Sequence, residues 1–197
     1  MTQSTLSYAH EDIQEILFTE EQIQQRIAEI GAQISKDYAD VAQVSSTDKT
    51  PQLLVVSVLR GAAIYMADLV RAIDLPLEMD YMAVSSYGSG VKSSGVVRII
   101  KDLSSNIEGK HVIIAEDILD SGLTLKYLMR VLESRKPASI QIATLLRKKN
   151  LEQAKIDCAY IGFECPNEFI VGYGLDYAEQ YRNLNYIGVL KPEVYGQ

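Results

Sequence analysis

The chain has few of the residues that build metal clusters and disulfide frameworks, and no membrane-length apolar run. Its 197 residues include two cysteines, two histidines and no tryptophan. Cys158 and Cys165 lack metal-ligand spacing, and such a pair is more often buried apolar filler than a disulfide. No apolar run reaches the ~18 residues of a membrane helix, and the first residues do not resemble a signal peptide. We therefore expect a cytoplasmic protein with no membrane partner.

The chain also lacks an excess of basic residues. It carries 19 Lys and Arg against 26 Asp and Glu, a net charge of −7. Because nucleic-acid backbones are bound through clustered cations, this balance argues against a nucleic-acid partner. A small polyanion would have to be bound locally, by backbone N–H groups, a few placed cations and divalent metal.

The length and the order of predicted elements indicate a single α/β domain over residues 1–197. Thr19 begins a capping box, and isoleucines follow it at helical spacing. Alternating strands and helices predict a mainly parallel central sheet flanked by helices, with ligands at the carboxyl ends of the strands. The predicted strands span residues 53–58, 78–87, 96–101, 111–116 and 139–146, and helices span 62–73 and 123–134.

An apolar strand that ends in acids stands out in residues 112–124, which read VIIAEDILDSGLT. Glu116 and Asp117 are adjacent, and adjacent carboxylates raise one another's pKa unless a cation or hydroxyl donors accompany them. A ribose diol and a magnesium pyrophosphate would supply both kinds of partner. Small residues then follow where a helix begins, so backbone N–H groups and hydroxyls can converge on a phosphate.

The segment EDILDSGLT resembles the phosphoribosyl diphosphate signature of type I phosphoribosyltransferases. The resemblance implies that family's fold, with a small hood formed by the terminal segments. It also implies phosphoribosyl diphosphate as a ligand and Mg²⁺ as a cofactor, with Glu116 and Asp117 on the ribose hydroxyls and the metal. The remaining donor-binding residues of this segment would be Asp120, Ser121, Gly122, Leu123 and Thr124.

Other motifs resemble the hypoxanthine-guanine branch, from about residue 53 to residue 192. SVLRGA at residues 57–62 is similar to its pyrophosphate loop, with Arg60 in place of the usual lysine before Gly61. The resemblance implies a cis peptide between Leu59 and Arg60. The resemblance also implies that Arg182 contacts pyrophosphate.

The base-binding residues are also implied by this resemblance. Lys148 would contact the 6-oxo group of a purine, Phe169 would stack on the ring, and the Ile170 backbone would bind its edge. Asp176 would bind a second magnesium. Ser86 and Tyr87 match the mobile loop that closes over the reacting centre.

The implied reaction is transfer of the 5-phosphoribosyl group to N9 of hypoxanthine or guanine, in purine salvage. Asp120 is the expected general base, beside purine N7. A homodimer or homotetramer is expected. Two alternatives stay open: a regulator of the same fold that senses phosphoribosyl diphosphate, and an enzyme acting on another base, of which xanthine is the hardest to exclude.

Overall fold

The computed structural model describes residues 11–41, 51–86, 97–120, 122–149 and 156–196. Of the predicted site residues, Tyr87 and Ser121 lie outside these ranges, and Ser86 is described for its backbone alone. The elements in chain order are β1 (Ile13–Phe18), α1 (Glu20–Asp37), β2 (Leu53–Leu59), α2 (Ala63–Ala72), β3 (Leu77–Ser86), β4 (Val97–Lys101), β5 (His111–Leu119), α3 (Leu123–Glu133), β6 (Ser139–Lys148), β7 (Tyr160–Cys165), β8 (Ile170–Val171), β9 (Ile187–Leu190) and α4 (Pro192–Tyr195).

Six strands form the large sheet, in the order β4-β3-β2-β5-β6-β7. All neighbours are parallel except β3 and β4. This confirms the predicted mainly parallel sheet. Helix α1 begins as predicted, since Thr19 accepts from the Gln22 backbone at 3.3 Å and the Gln22 side chain accepts from Thr19 at 2.9 Å.

Alternate side chains of β2 enter two apolar layers. Leu53 and Val55 pack with α1 and α2, whereas Leu54 and Val56 pack with α3 on the opposite face. Because successive strand side chains point to opposite faces, one buried strand anchors helices on both sides. No described helix is both long and apolar enough to cross a membrane, and both cysteines are free thiols.

A second, three-stranded sheet joins the two ends of the chain. Strand β9 pairs antiparallel with β1 on one side and with β8 on the other. Val171 and Leu190 lie fully inside the small apolar cluster beneath it. This sheet is the hood that the family resemblance implies.

Two predicted strand ends are wrong. Strand β5 continues past Glu116 to Leu119, because its pairing with β6 goes on through Ile118 and Leu146. Strand β6 likewise runs to Lys148, which pairs with Cys165 of β7. Asp117 and Lys148 therefore lie on strand ends, where the sheet fixes their positions, rather than in loops.

Candidate active site

The carboxyl ends of three strands of the large sheet meet at one edge. Because β2, β5 and β6 are parallel neighbours, their carboxyl ends lie side by side. This arrangement gathers Gly61, the segment 116–120 and Lys148.

Two glycines allow the pyrophosphate loop to approach the end of β5 on one side and the turn at residues 172–176 on the other. A Cβ on Gly61 would lie 1.8 Å from Oδ2 of Asp117, and a Cβ on Gly174 would lie 2.1 Å from the Gly61 carbonyl oxygen. Gly174 also has a φ of +101°, which side chains rarely permit. The pyrophosphate loop is thus held between the acidic strand end and the turn at residues 172–176.

That turn is also bound to helix α2. The Tyr173 hydroxyl donates to the Asp68 carboxylate and accepts from Gln24 Nε2 at 3.2 Å. Burial, followed by the Asp68 interaction, raises the pKa of Tyr173 above its usual range, so the hydroxyl keeps its proton and remains a donor. Helix α2 begins directly after the pyrophosphate loop, so this contact positions the turn relative to that loop.

The pyrophosphate loop contains the predicted cis peptide between Leu59 and Arg60. The Arg60 side chain lies 3.0 Å from the Glu179 carboxylate, and both groups are more than half exposed. Such a pair contributes little to stability, because water screens it. An anionic ligand can therefore displace Glu179, and pyrophosphate binding by Arg60 stays a prediction.

The acid pair on β5 is partly buried. Burial raises the pKa of Glu116 well above its usual range, and the Asp117 charge adds to this rise. Burial also raises the pKa of Asp117, although the Ile118 N–H at 2.8 Å and the Arg182 charge oppose it. Both carboxyls therefore resist ionisation until a cation or hydroxyl donors arrive.

Glu116→Gln should raise the unfolding temperature of the free protein at pH 7. A carboxyl with a raised folded-state pKa favours folding at low pH, and this contribution is lost as pH rises through that pKa. Removing the ionisable carboxyl should raise the unfolding temperature by about 2 to 4 °C, the shift that roughly 1 kcal/mol produces in a domain of this size. Thermal unfolding from pH 5 to pH 8 measures it, and the gain should shrink at the acid end. Glu108→Gln, an exposed acid elsewhere, is the control; an equal gain there would contradict the explanation.

The phosphate turn follows β5. Gly122 lies in the left-handed region, with φ 68°, and supplies no capping side chain to α3. The N-cap residue thus provides no acceptor for the first-turn N–H groups of α3, and these groups lie at the positive end of the helix dipole, which suits an anion. A cavity of about 140 Å³ lies here, and Asp120, Leu123 and Thr124 are among its lining residues.

A larger cavity of about 430 Å³ contains the predicted base-binding residues. Lys148 Nζ lies 3.3 Å from Asp120 Oδ2 at its wall. The Phe169 ring is 36% exposed and is flanked by Tyr195, at a centroid distance of 4.8 Å. The residues that line this cavity are Ile118, Asp120, Lys148, Asn167, Glu168, Phe169, Ile170, Leu175, Asp176 and Tyr195.

Arg182 forms an ion pair with Asp176, which lines the larger cavity. Arg182 Nη2 lies 2.8 Å from Asp176 Oδ1, and Nη1 donates to the Gly174 carbonyl at 2.8 Å. Arg182 Nε is buried and has no hydrogen-bond partner among the described residues. A buried guanidinium donor without a partner suits an anionic ligand.

The acids fit a metal that is shared with a substrate. Among the described residues, no group of three or more His, Cys, Asp or Glu is placed to hold a metal ion. Asp117 and Asp176 are nevertheless close enough for the charge of Asp176 to raise the pKa of Asp117. Mg²⁺ prefers oxygen and usually takes one or two carboxylates, with water and substrate oxygens completing the set. The predicted ligands Glu116, Asp117 and Asp176 suit that role.

Known proteins match this chain over nearly its whole length. The phosphoribosyl transferase domain family matches residues 14–178. The chain is 54% identical over 186 residues to the hypoxanthine-guanine phosphoribosyltransferase of Mycobacterium avium, which covers 94% of this chain and 90% of that protein. The Bacillus subtilis enzyme of the same name is 51% identical over 184 residues, covering 93% and 97%. The chain belongs to the hypoxanthine-guanine phosphoribosyltransferase family.

Solved structures of this family share the fold. A crystal structure of a hypoxanthine phosphoribosyltransferase from Staphylococcus aureus superposes with a TM-score of 0.87 at 50% identity, covering 98% of this chain and 99% of that chain. The family and the fold expected from the sequence are therefore confirmed.

The structure adds two residues to the candidate site that the sequence analysis did not name. Glu179 contacts both Arg60 and Arg182, and its position between Asp176 and Arg182 was a usable signal. Tyr195 lines the base cavity, and the sequence offers no signal for it, because nothing in residues 192–195 indicates that they fold back onto residue 169.

Proposed function

We propose that this protein transfers the 5-phosphoribosyl group of phosphoribosyl diphosphate to N9 of hypoxanthine or guanine, releasing pyrophosphate. The observation that carries the proposal is the Lys148 and Asp120 pair in the wall of the Phe169 cavity. In a 6-oxopurine, O6 and N7 are neighbouring atoms on one edge. Lys148 donates to O6 while Asp120 accepts the proton of N7.

The stacking ring sets the plane of the base. Phe169 presents an aromatic face to the cavity, and a flat heterocycle placed on it is shielded from water. Ile118 lines the same cavity from the end of β5, so the base lies next to the strand that carries the acid pair. This brings N9 toward a ribose held at Glu116 and Asp117.

The leaving pyrophosphate lies beside the pyrophosphate loop, where two arginines bind it. Arg182, whose Nε has no hydrogen-bond partner among the described residues, donates to it together with Arg60, and the N–H groups of the first turn of α3 hold the 5-phosphate. We propose Glu116, Asp117 and Asp176 as ligands of Mg²⁺, directly or through water. When bound, Mg²⁺ would supply positive charge to the departing pyrophosphate.

Assembly and location are further parts of the proposal. We propose a homodimer or homotetramer, and two exposed apolar residues, Leu59 at the end of β2 and Ile64 at the start of α2, support an interface there. A cytoplasmic location also stays a prediction. The regulator hypothesis receives no support from the matched relatives, which are named as enzymes.

Lys148→Ala should raise the KM for hypoxanthine about tenfold or more, since a charge-assisted hydrogen bond to O6 is lost. The KM for phosphoribosyl diphosphate should change far less. Steady-state kinetics with each substrate varied in turn measures both. Lys149→Ala, at the adjacent exposed position, is the matched control. An equal rise in the KM for both substrates would indicate a folding defect instead.

A single assay tests the function itself. Pyrophosphate release is measured with phosphoribosyl diphosphate, Mg²⁺ and each of hypoxanthine, guanine, xanthine and adenine. We expect turnover with hypoxanthine or guanine and little with adenine, whose 6-amino group presents donors to Lys148. No release with any base would overturn the proposal.

A further inference from the structure

The C-terminal helix contacts the ring assigned to base stacking. Tyr195, the last residue of α4, stacks on Phe169 with ring planes 24° apart. Tyr177 meets Phe169 edge-on, at 5.4 Å and 90°. Two aromatic neighbours therefore restrict an exposed ring that would otherwise be free to change rotamer.

The backbone next to this stack is fixed as well. The Leu190 N–H donates to the Phe169 carbonyl at 2.8 Å, and the Lys191 N–H donates to Asp12 at 2.9 Å. Pro192 then begins α4, and Val194 and Tyr195 pack on the apolar cluster of the hood. The short helix is thus attached to the same backbone that carries Phe169, so Tyr195 keeps a constant position relative to that ring.

Tyr195 also lines the base cavity together with Lys148 and Asp120. A ring that is supported on one side can present its remaining face to a planar ligand without losing rotamer freedom on binding. Ordering a side chain before the ligand arrives lowers the cost of association. The stack should therefore raise the affinity for the base. It should not change the affinity for the donor, which is assigned to the other cavity that Asp120 lines.

We propose that Tyr195 is a positioning residue for the purine: it holds Phe169 in the plane in which that ring stacks on the base. This inference rests on the proposed function, since it takes Phe169 as the stacking residue. Tyr195 acts through Phe169 and has no part in proton transfer or pyrophosphate departure.

Tyr195→Ala should raise the KM for hypoxanthine about three- to tenfold, the effect expected from the loss of one aromatic pair. The kcat and the KM for phosphoribosyl diphosphate should stay within about twofold, because no group of the donor site changes. Tyr195→Phe, which keeps the ring, should restore the KM for hypoxanthine to near the wild-type value. Steady-state kinetics and equilibrium binding of the nucleotide product measure these effects.

Val194→Ala is the matched control. Val194 packs on the hood from the same helix and is not among the residues that line the base cavity. An equal rise in the KM for hypoxanthine in this variant would assign the effect to helix packing and overturn the proposal. A lower KM in Tyr195→Ala would also overturn it, because the ring would then obstruct the base.

Phe169→Leu separates this inference from the proposed function. Wild-type protein that turns over none of the bases overturns the function. Active wild-type protein whose KM for hypoxanthine rises in Phe169→Leu and stays unchanged in Tyr195→Ala overturns the positioning role alone.

Discussion

Asp120→Ala and Asp120→Asn should lower kcat at least about tenfold, and by up to the 10² to 10⁴ that a positioned general base contributes. Neither variant can accept the N7 proton of the purine, so the loss falls on the chemical step. The KM for phosphoribosyl diphosphate should stay within a few fold. Single-turnover measurement with hypoxanthine separates the chemical step from product release.

The Asp120 side chain is 59% exposed, so its replacement should leave the unfolding temperature nearly unchanged. This makes thermal unfolding the control for the two variants. Near-normal turnover in either one would remove Asp120 from the role of general base.

Gly61→Ala should reduce kcat/KM for phosphoribosyl diphosphate on the order of 10²-fold, the cost of misplacing reacting groups by about 1 Å. The added Cβ would lie 1.8 Å from Oδ2 of Asp117. Either the pyrophosphate loop or the Asp117 carboxylate must move, and both are assigned to the donor. The KM for hypoxanthine should change less, because Lys148 and Phe169 are not displaced.

Ala67→Ser is the matched control for Gly61→Ala, since Ala67 is exposed on the helix that follows the loop. It should keep wild-type kinetics. A donor KM and a kcat within about threefold of wild type in Gly61→Ala would show that the loop accommodates a side chain, contrary to the contact geometry.

The candidate donor site was the easier part to propose from the sequence, because its residues are close in sequence. One strand, one turn and one helix start supply Glu116, Asp117, Asp120 and Gly122, and each has a local pattern. The strand end was misjudged because acids suggested a loop. Pairing with a neighbouring strand, which no local pattern reports, keeps Ile118 and Leu119 in the sheet.

The base site was predictable only in part, since distant segments build it. The family resemblance pointed to Lys148 and Phe169, but β8 has two residues, too few to show a period. The stacking of Tyr195 and the Arg60 contact with Glu179 depend on tertiary packing. Short elements held by distant partners therefore account for most of what the sequence did not predict.

The hood has a consequence for the order of folding. Ile13 pairs with Leu190, so the small sheet requires both ends of the chain. Contacts between distant residues close large loops and form late, whereas the contacts between β5 and α3 are local. During synthesis the acidic strand and phosphate turn can assemble while the C-terminal segment is still missing. The parts of the candidate site that come from residues 169–195 are completed only when the hood forms.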